Sequence, residues 1–327
     1  MGYTLCVLGC GTMGIAVLAG VIDSLDAASI RLDNALRNAG GAANGDSSTP
    51  KLKWESHTPG TLTPTSGDPS VPTQFVATVR REESAKKLRD LFEGLGDLGK
   101  TVEVVAGSNL EAVQRADVVL LGCKPYMAGA ILQEEGVQDA LKGKLLISVL
   151  AGVTISQLQS LVHPETRVVR AMPNTPCKIR EGMTVVSTLP PGPETANDKA
   201  IILNIFPSIG RCRFLEEKHF DACTALAGSG PAFACLFLEA MADGGVMMGL
   251  PRAEAVELAA QTLQGAARMV LQGNSHPAQI KDSVTTPGGC TIAGLLALED
   301  GKVRSTIARA IQAATERASE LGQPAKK

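Results

Sequence analysis

A glycine-rich turn near the start of the chain constrains its fold more than any other feature. Gly9, Gly11 and Gly14 form a G-x-G-x-x-G pattern between an apolar run and apolar residues at helical spacing. Strand, tight turn and helix in this order are the context of a dinucleotide-binding fingerprint, whose glycines allow the turn, the approach of a pyrophosphate and close helix packing. The helical pattern opens at Gly14, so the N-terminus of this helix would face the phosphates, with Thr12 and Met13 among the residues that bind the cofactor. An ordinary glycine-rich turn is the alternative interpretation.

Strands and helices alternate through the rest of the first half of the chain. Nearly continuous apolar runs predict buried strands at residues 74–79, 101–106, 117–122, 145–150 and 183–187, and helical patterns occupy 109–115 and 126–141. Buried strands that alternate with helices are typical of a parallel sheet covered on both faces. The sequence therefore predicts a Rossmann-type, doubly wound α/β domain over residues 1–190.

Residues 26–72 interrupt this alternation. The stretch is rich in Gly, Ser, Thr, Asn and Pro, and it contains Trp54, the only tryptophan of the chain. A segment of such composition buries too little apolar surface to order itself. We therefore predict a flexible surface insertion here, within the first domain.

Two arginines follow the second predicted strand, where a dinucleotide fold recognises the adenosine ribose. An acidic residue there binds a free 2′-hydroxyl, and an arginine accommodates a 2′-phosphate. This chain has Arg80 and Arg81 at that point. A solvated helix start is the alternative, but cations at a helix N-terminus oppose its dipole, so their placement favours a bound phosphate. We expect NADPH as the cofactor, with NADH as the second candidate.

Further candidate residues follow other predicted strands, at the sheet edge where open α/β folds bind their ligands. Lys124 and Pro125 come after the strand at 117–122, and Asn174 lies between two prolines in a later turn. The sequence predicts that these three residues border the cofactor. A solvent-facing lysine and a purely structural turn are the alternatives.

The last third of the chain differs in kind, because its pattern is almost all helical and rich in alanine. A proline-rich stretch precedes it, so we predict a connecting segment over 191–217 and an all-α domain over 218–327. Helices predicted from Pro231 and Pro251 are apolar nearly all round or carry small residues on one face. One chain of this size would not cover such faces, so we expect a helical homodimer interface.

A second glycine-rich turn lies in this helical domain. Thr286, Gly288 and Gly289 come directly before Cys290 and Thr291, where a helix is predicted to start. Successive backbone N–H groups in such a turn form an anion cradle that fits a small carboxylate. The Thr291 hydroxyl has two candidate roles, which are to cap the helix or to hydrogen-bond a ligand.

The overall composition argues against several classes of protein. Lys plus Arg number 31 against 33 for Asp plus Glu, and aromatic residues are only 3%, so a nucleic-acid partner is not expected. No apolar run approaches the roughly 18 to 20 residues that a membrane span needs, and the first residues lack the basic region of a signal peptide. The 8 cysteines form no C-x-x-C pattern and do not cluster with the 4 histidines. We therefore expect a cytoplasmic protein with reduced thiols and without a membrane or a metal site.

Seven blocks of sequence, taken together, point to one family. They are residues 9–14, 123–125, 151–154, 170–176, 228–232, 239–243 and 282–291. In order and spacing these blocks resemble those of the Δ1-pyrroline-5-carboxylate reductase family, over nearly the whole chain apart from residues 26–72. The resemblance implies NAD(P)H-dependent reduction of 1-pyrroline-5-carboxylate to L-proline, the last step of proline synthesis. It also implies a Rossmann domain and a helical domain that interlocks two subunits, with the dimers often assembled into rings.

The resemblance further assigns roles to residues. It implies that residues 286–291 bind the substrate, chiefly through backbone N–H groups to its carboxylate, and that the Thr291 hydroxyl contacts the ring nitrogen. Lys124 matches a family position near the cofactor, so Thr291 and Lys124 are the candidate catalytic residues. No dedicated general acid is visible, and orientation of the reactants would be the main contribution of the protein. The alternatives are another NADP-dependent imine or 2-hydroxy-acid reductase and a non-catalytic NADP-binding redox sensor.

Overall fold

A computed structural model of the chain describes residues 2–38, 68–273 and 275–321, with side chains described for all of these except residues 28–38 and 321. The larger part of the predicted insertion, residues 39–67, lies outside the described residues. The chain divides into two compact units.

The first unit comprises Met1–Thr224 together with Ala318–Lys327, and the second is Ala225–Arg317. The first unit thus continues past residue 190, where the sequence analysis ended the first domain. It does so because residues of the predicted connecting segment form a strand that joins the sheet of the first unit.

The first unit is built on a single sheet. Its strands are β1 (Tyr3–Leu8), β2 (Pro72–Val79), β3 (Glu103–Ala106), β4 (Val118–Leu121), β5 (Leu145–Ser148), β6 (Arg167–Met172), β7 (Gly182–Ser187) and β8 (Gly210–Leu215). The eight strands lie in the order β3-β2-β1-β4-β5-β6-β7-β8. Strands β1 to β6 are parallel, in the order of a doubly wound sheet.

The last two strands depart from the parallel arrangement. Strand β7 is antiparallel to β6, and β8 is parallel to β7. The connection between β6 and β7 spans residues 173–181, which is shorter than the dozen or so residues that a parallel crossover needs. The length of this connection therefore dictates the reversal.

Helices flank the sheet and make up the second unit. They are α1 (Thr12–Asn38), α2 (Glu82–Glu93), α3 (Gly96–Lys100), α4 (Asn109–Arg115), α5 (Ala128–Leu132), α6 (Val137–Ala140), α7 (Ile155–Gln159), α8 (Thr195–Ile205), α9 (Phe220–Cys223), α10 (Gly230–Met247), α11 (Arg252–Gln272), α12 (Pro277–Ser283), α13 (Cys290–Asp300) and α14 (Val303–Leu321). A π-helical turn, Thr224–Gly228, joins the first unit to the second.

Two predicted helices have different lengths in the structure. The helix expected over 126–141 is broken into a 3₁₀ turn, α5 and α6, because Gly136 adopts a left-handed φ of 81°. Helix α1 continues to Asn38, beyond residue 26 where the insertion was expected to begin. Alanine and leucine are frequent in that continuation and favour a helix.

The core of the first unit forms two apolar layers, one on each face of the sheet. Along β1, Leu5 and Val7 belong to one layer while Cys6 and Leu8 belong to the other, as the alternation of side chains in a strand requires. All four are fully buried. This rigid sheet carries the glycine-rich turn at the carboxyl end of β1.

The second unit buries little within a single chain. Among the described residues of this unit, the buried apolar ones are small: Ala225, Ala242, Ala255 and Ala259. By length and composition alone, the described helical run Glu217–Met247 could also cross a membrane, with 11% of its most apolar window buried. The sequence analysis expected no run of this kind, whereas this one is apolar on average despite the charged residues Glu239 and Asp243. A helix that packs against protein passes the same test, so this finding does not by itself select a membrane.

Candidate active site

The glycine-rich turn after β1 has the geometry expected of a dinucleotide-binding loop. Gly9 has a φ of 72°, and a Cβ there would lie 2.7 Å from the Cβ of Cys123. A Cβ at Gly14 would lie 2.7 Å from Cγ1 of Val7, so this glycine allows α1 to pack closely on β1. At Gly11 a Cβ would meet nothing nearer than 4.0 Å. A side chain at Gly9 or Gly14 would therefore collide with the protein, whereas the space beside Gly11 is open.

Backbone donors at the start of α1 are available to a ligand. The first bond of the helix runs from the Ile15 N–H to the Gly11 oxygen, at 2.9 Å. The N–H groups of Thr12 and Met13 have no acceptor among the described residues. Free amides at a helix N-terminus beside an open glycine fit the pyrophosphate of a dinucleotide. The residues present thus fit NADPH at this position.

The two cysteines at this turn carry no negative charge at neutral pH. Burial raises the pKa of the Cys10 thiol to about 12 and that of the Cys123 thiol to about 11. Both stay protonated, so neither repels an anionic phosphate. Because the raised pKa also disfavours the thiolate, neither has the character of a nucleophile.

Arg80 and Arg81 follow β2 directly and are both exposed. Arg81 is the N-cap residue of α2, in an extended conformation, and its side chain forms no cap hydrogen bond. Neither arginine forms an ion pair with a described residue. The acidic residues of the first turn of α2 are engaged elsewhere, since Glu82 binds Arg89 and Glu83 binds Lys87. Two cations thus remain at the point where the fold class recognises the adenosine ribose.

Lys124, Pro125 and Asn174 follow the carboxyl ends of β4 and β6. Lys124 is exposed and forms no ion pair within the described parts of the chain, and Pro125 opens a 3₁₀ turn. Asn174 was expected to border the cofactor, but its side chain is buried and its Oδ1 accepts the Met183 N–H at 2.8 Å. That oxygen holds the loop between β6 and β7, whereas the neighbouring Thr175 is exposed.

A residue that the sequence analysis missed lies beneath the glycine-rich turn. Thr78, near the end of β2, is buried, and its hydroxyl accepts the Gly9 N–H at 3.1 Å. A hydroxyl inside the otherwise apolar run at residues 75–79 was the available signal. Its partner could not be read from the sequence, because the contact joins residues 69 positions apart.

The second glycine-rich turn, in the helical unit, connects α12 to α13. Gly288 has a φ of 67°, and Gly289 donates its N–H to the Thr286 oxygen at 3.1 Å. A Cβ at Gly289 would lie 2.4 Å from Oγ1 of Thr286, so a larger residue would force the turn to shift. The N–H groups of Gly288 and Cys290 have no acceptor among the residues described here. The turn thus presents free donors of the kind that bind a carboxylate.

Thr291 is the second residue of α13, and its hydroxyl does not cap the helix. The N-cap position is Gly289, with no side-chain cap hydrogen bond. Thr291 is partly exposed, and its hydroxyl has no hydrogen-bond partner among the described residues. Of the two roles considered for Thr291, this geometry favours contact with a ligand. The searched residues contain no group of three side chains that could hold a metal ion.

Comparisons with known proteins give matches along both units. A family model for pyrroline-5-carboxylate reductase dimerisation matches residues 217–321, and one for NADP oxidoreductase, coenzyme F420-dependent, matches residues 63–152. The pyrroline-5-carboxylate reductase of Lophium arboricola is 48% identical over 332 residues, which cover 98% of this chain and 93% of that protein. The pyrroline-5-carboxylate reductase of Schizosaccharomyces pombe is 46% identical over 321 residues, which cover 97% and 99% of the two chains.

A solved structure matches the whole fold. The crystal structure of Plasmodium falciparum pyrroline carboxylate reductase with NADP bound aligns with a TM-score of 0.70 and 26% sequence identity, and the alignment covers 98% of each chain.

Proposed function

The chain belongs to the pyrroline-5-carboxylate reductase family, and from this premise we infer that it reduces 1-pyrroline-5-carboxylate to L-proline with NADPH. The resemblance found in the sequence is thereby confirmed at the level of the family. The observation that carries the assignment is the presence in one chain of two glycine-rich turns with free backbone donors, one in each unit. The first suits the pyrophosphate of a dinucleotide, and the second suits a small carboxylate.

The first unit would hold the cofactor. The amides that follow Gly11, at Thr12 and Met13, would bind the pyrophosphate, with Gly9 and Gly14 shaping the turn. Arg80 and Arg81 would bind the 2′-phosphate, which makes NADPH the preferred cofactor over NADH. Pro125 and Asn174 would border the nicotinamide end through the backbone of their loops. When bound, NADPH supplies the hydride that the reduction requires.

The second unit would hold the substrate, a five-membered cyclic imine with one carboxylate. The N–H groups of Gly288, Cys290 and Thr291 would surround that carboxylate. The sequence analysis also expected the Gly289 N–H there, but it donates to the Thr286 oxygen, so Gly289 and Thr286 would shape the turn instead. The Thr291 hydroxyl would hydrogen-bond the ring nitrogen. This contact would orient the imine so that its carbon faces the reductant, which is a contribution of proximity rather than of acid strength.

The proton balance of the reaction needs no strong acid from the chain. Reduction adds a hydride to the imine carbon and leaves one proton on the nitrogen, and an imine that is already protonated brings that proton with it. Thr291 can donate a hydrogen bond to the nitrogen or accept one from it. Lys124 is the second candidate catalytic residue, because it is the unpaired cation after β4 within the described chain.

The family model for dimerisation covers the helical unit, so the protein is a homo-oligomer. We propose a homodimer in which the apolar faces of α10 and α11 meet those of a second copy, with a ring of dimers as a further assembly. The partner subunit, rather than lipid, would then cover the apolar run Glu217–Met247. A cytoplasmic location without a membrane or nucleic-acid partner remains our proposal for the compartment.

One spectrophotometric assay tests the function. The purified full-length protein is mixed with NADPH and 1-pyrroline-5-carboxylate, and the loss of NADPH absorbance is followed together with the formation of proline. We expect one proline for each NADPH oxidised. If NADPH binds but is not oxidised, the protein would instead be a redox sensor. If NADPH is oxidised only by other imines, or by the 2-oxo acids that a 2-hydroxy-acid enzyme reduces, the substrate would be reassigned.

A further inference from the structure

Two hydrogen bonds from β2 hold the first residues of the glycine-rich turn. The hydroxyl of Thr78 accepts the Gly9 N–H at 3.1 Å, and its carbonyl oxygen accepts the Cys10 N–H at 2.8 Å. Thr78 is 1% exposed, so the residue that accepts both bonds is itself shielded from solvent. The first two amides of the turn are therefore satisfied by the protein itself and do not face a ligand.

A further chain of side chains fixes the direction of the Thr78 hydroxyl. The hydroxyl donates to Oδ1 of Asn109 at 3.3 Å, and Nδ2 of Asn109 donates to Oε2 of Glu134 at 2.9 Å. The Glu134 carboxylate accepts only, so it sets the orientation of the Asn109 amide. The Asn109 oxygen in turn draws the hydroxyl proton of Thr78 away from Gly9 and leaves a lone pair towards the Gly9 N–H.

We propose that Thr78 is a positioning residue for cofactor binding, which holds the glycine-rich turn in its binding shape before the cofactor arrives. The proposal rests on the cofactor role that the proposed function gives to this turn. Gly9 has a φ of 72°, a conformation that it leaves easily because glycine has no Cβ to confine it. With the Thr78 hydroxyl in place the turn stays in one shape. Without the hydroxyl only a fraction of molecules is ready to bind, and the apparent Kd for NADPH rises by the inverse of that fraction.

The same pair of strands offers a matched control. Thr4, at the other end of β1, is also buried, and its hydroxyl donates to Oε1 of Gln74 on β2 at 3.2 Å. The Thr4 hydroxyl thus joins β1 to β2, and the Thr78 hydroxyl joins β2 to the turn that follows β1. Only Thr78 contacts the turn. If the two hydroxyls serve only stability, removing either one should have the same kind of effect, whereas a positioning role predicts a change in NADPH binding only when the Thr78 hydroxyl is removed.

The test compares Thr78→Val, Thr78→Ser and Thr4→Val in the full-length protein. For Thr78→Val we expect the Kd for NADPH, measured by calorimetry, to rise about tenfold, which corresponds to about 1.4 kcal/mol. Turnover at saturating NADPH should stay within about twofold, because the turn adopts its binding shape once the cofactor is bound. Thr78→Ser keeps the hydroxyl and should restore the Kd. Thr4→Val should lower the melting temperature and leave the Kd unchanged.

An unchanged Kd in Thr78→Val, or an equal rise in Thr4→Val, would overturn the proposal. If Thr78→Val does not fold, amide hydrogen exchange in the wild-type protein decides instead. We expect the Gly9 and Cys10 amides to exchange slowly before NADPH is added, and rapid exchange that slows only with NADPH would contradict the proposal. Calorimetry and exchange report binding alone, so they remain decisive even if the pyrroline assay fails and the substrate is reassigned.

Discussion

The two units of the chain differ in how far one copy covers its own apolar residues. In the first unit two apolar layers enclose the sheet, and residues such as Phe75 and Leu120 are almost wholly buried. In the second unit Leu236 is 64% exposed and Met247 is 80% exposed. The first unit therefore buries its apolar core within one chain, whereas the second leaves large apolar side chains that another surface must cover.

This difference gives each unit its own role in the proposed reaction. A unit with a closed core can hold the cofactor turn rigidly without any partner. A unit with such large apolar side chains exposed needs a partner surface to cover them, so we expect substrate binding to depend on assembly. The dimerisation family model, which matches residues 217–321, supports the same division. The experiments below act on one unit at a time, from the largest expected effect to the smallest.

The largest effect is expected from a charge placed on the uncovered face of the second unit. Leu236→Glu would bring a carboxylate into an apolar interface, where an unpaired charge is strongly unfavourable. We expect the protein to become monomeric in light scattering and its reductase activity to fall about 100-fold or more, which corresponds to roughly 2.7 kcal/mol. NADPH should still bind, because the first unit does not depend on the partner.

Leu91→Glu is the matched control for this variant. Leu91 is also an exposed leucine on a helix, at 41%, but it belongs to α2 of the first unit. It should leave both oligomeric state and activity unchanged. If Leu91→Glu dissociates the protein and Leu236→Glu does not, the interface lies on the first unit and our assignment is wrong.

The second prediction concerns Thr291 in the helical unit. Thr291→Val keeps the shape of the side chain and removes its hydroxyl. We expect turnover to fall about 10- to 100-fold, because one contact that orients the transition state is lost. The Kd for NADPH should be unchanged. Thr306→Val in α14 removes a hydroxyl that bonds to the oxygen of Lys302, the residue just before that helix, and should have normal kinetics. Normal turnover in Thr291→Val would remove this residue from the mechanism.

The third prediction concerns the two arginines after β2. Arg80→Ser with Arg81→Ser should raise the KM for NADPH about tenfold and leave that for NADH nearly unchanged, because only NADPH has a 2′-phosphate. As the control, Lys86→Ser with Lys87→Ser removes two exposed cations from α2, the helix that follows the arginines. This variant should preserve the ratio of kcat/KM for the two cofactors. An equal loss for both cofactors in the arginine variant would show general electrostatic attraction instead.

The sequence predicted the glycine-dependent features of both units, because such turns depend on local backbone conformation. The left-handed φ at Gly9 and Gly288 follows from residues within the turns themselves. The parallel arrangement of the first strands was also predicted, since buried strands alternate with helices. The antiparallel β7 could have been predicted from the short connection before it.

Contacts between distant residues could not be predicted in this way. The bond from Thr78 to Gly9 and the bond from Asn174 to Met183 depend on how strands and loops meet in space. Asn174 illustrates the consequence. Its residue type and its flanking prolines suggested an amide presented to a ligand, yet its side-chain oxygen is engaged with the backbone of β7. Residue type and spacing identify the loop, but only packing decides which atoms face outwards.

The smallest effect is expected from cysteine alkylation, which compares the two units directly. Burial raises the pKa of Cys6, Cys10 and Cys212 in the first unit to about 12. At about pH 8 roughly one such thiol in 10,000 is ionised, so iodoacetamide should leave them unmodified in the folded protein. In the second unit Cys235 and Cys290 are exposed in the single chain.

The two exposed cysteines should then behave differently from each other. Cys290 directly follows the glycine-rich turn that we propose binds the substrate, so it should be alkylated in the wild-type protein and protected when proline is bound. Cys235 is on α10 next to Leu236, so a partner subunit should protect it in the wild-type protein, and Leu236→Glu should expose it. Mass spectrometry of labelled peptides measures both rates. Rapid labelling of Cys235 in a protein that light scattering shows to be oligomeric would mean that subunits meet through another face of the helical unit.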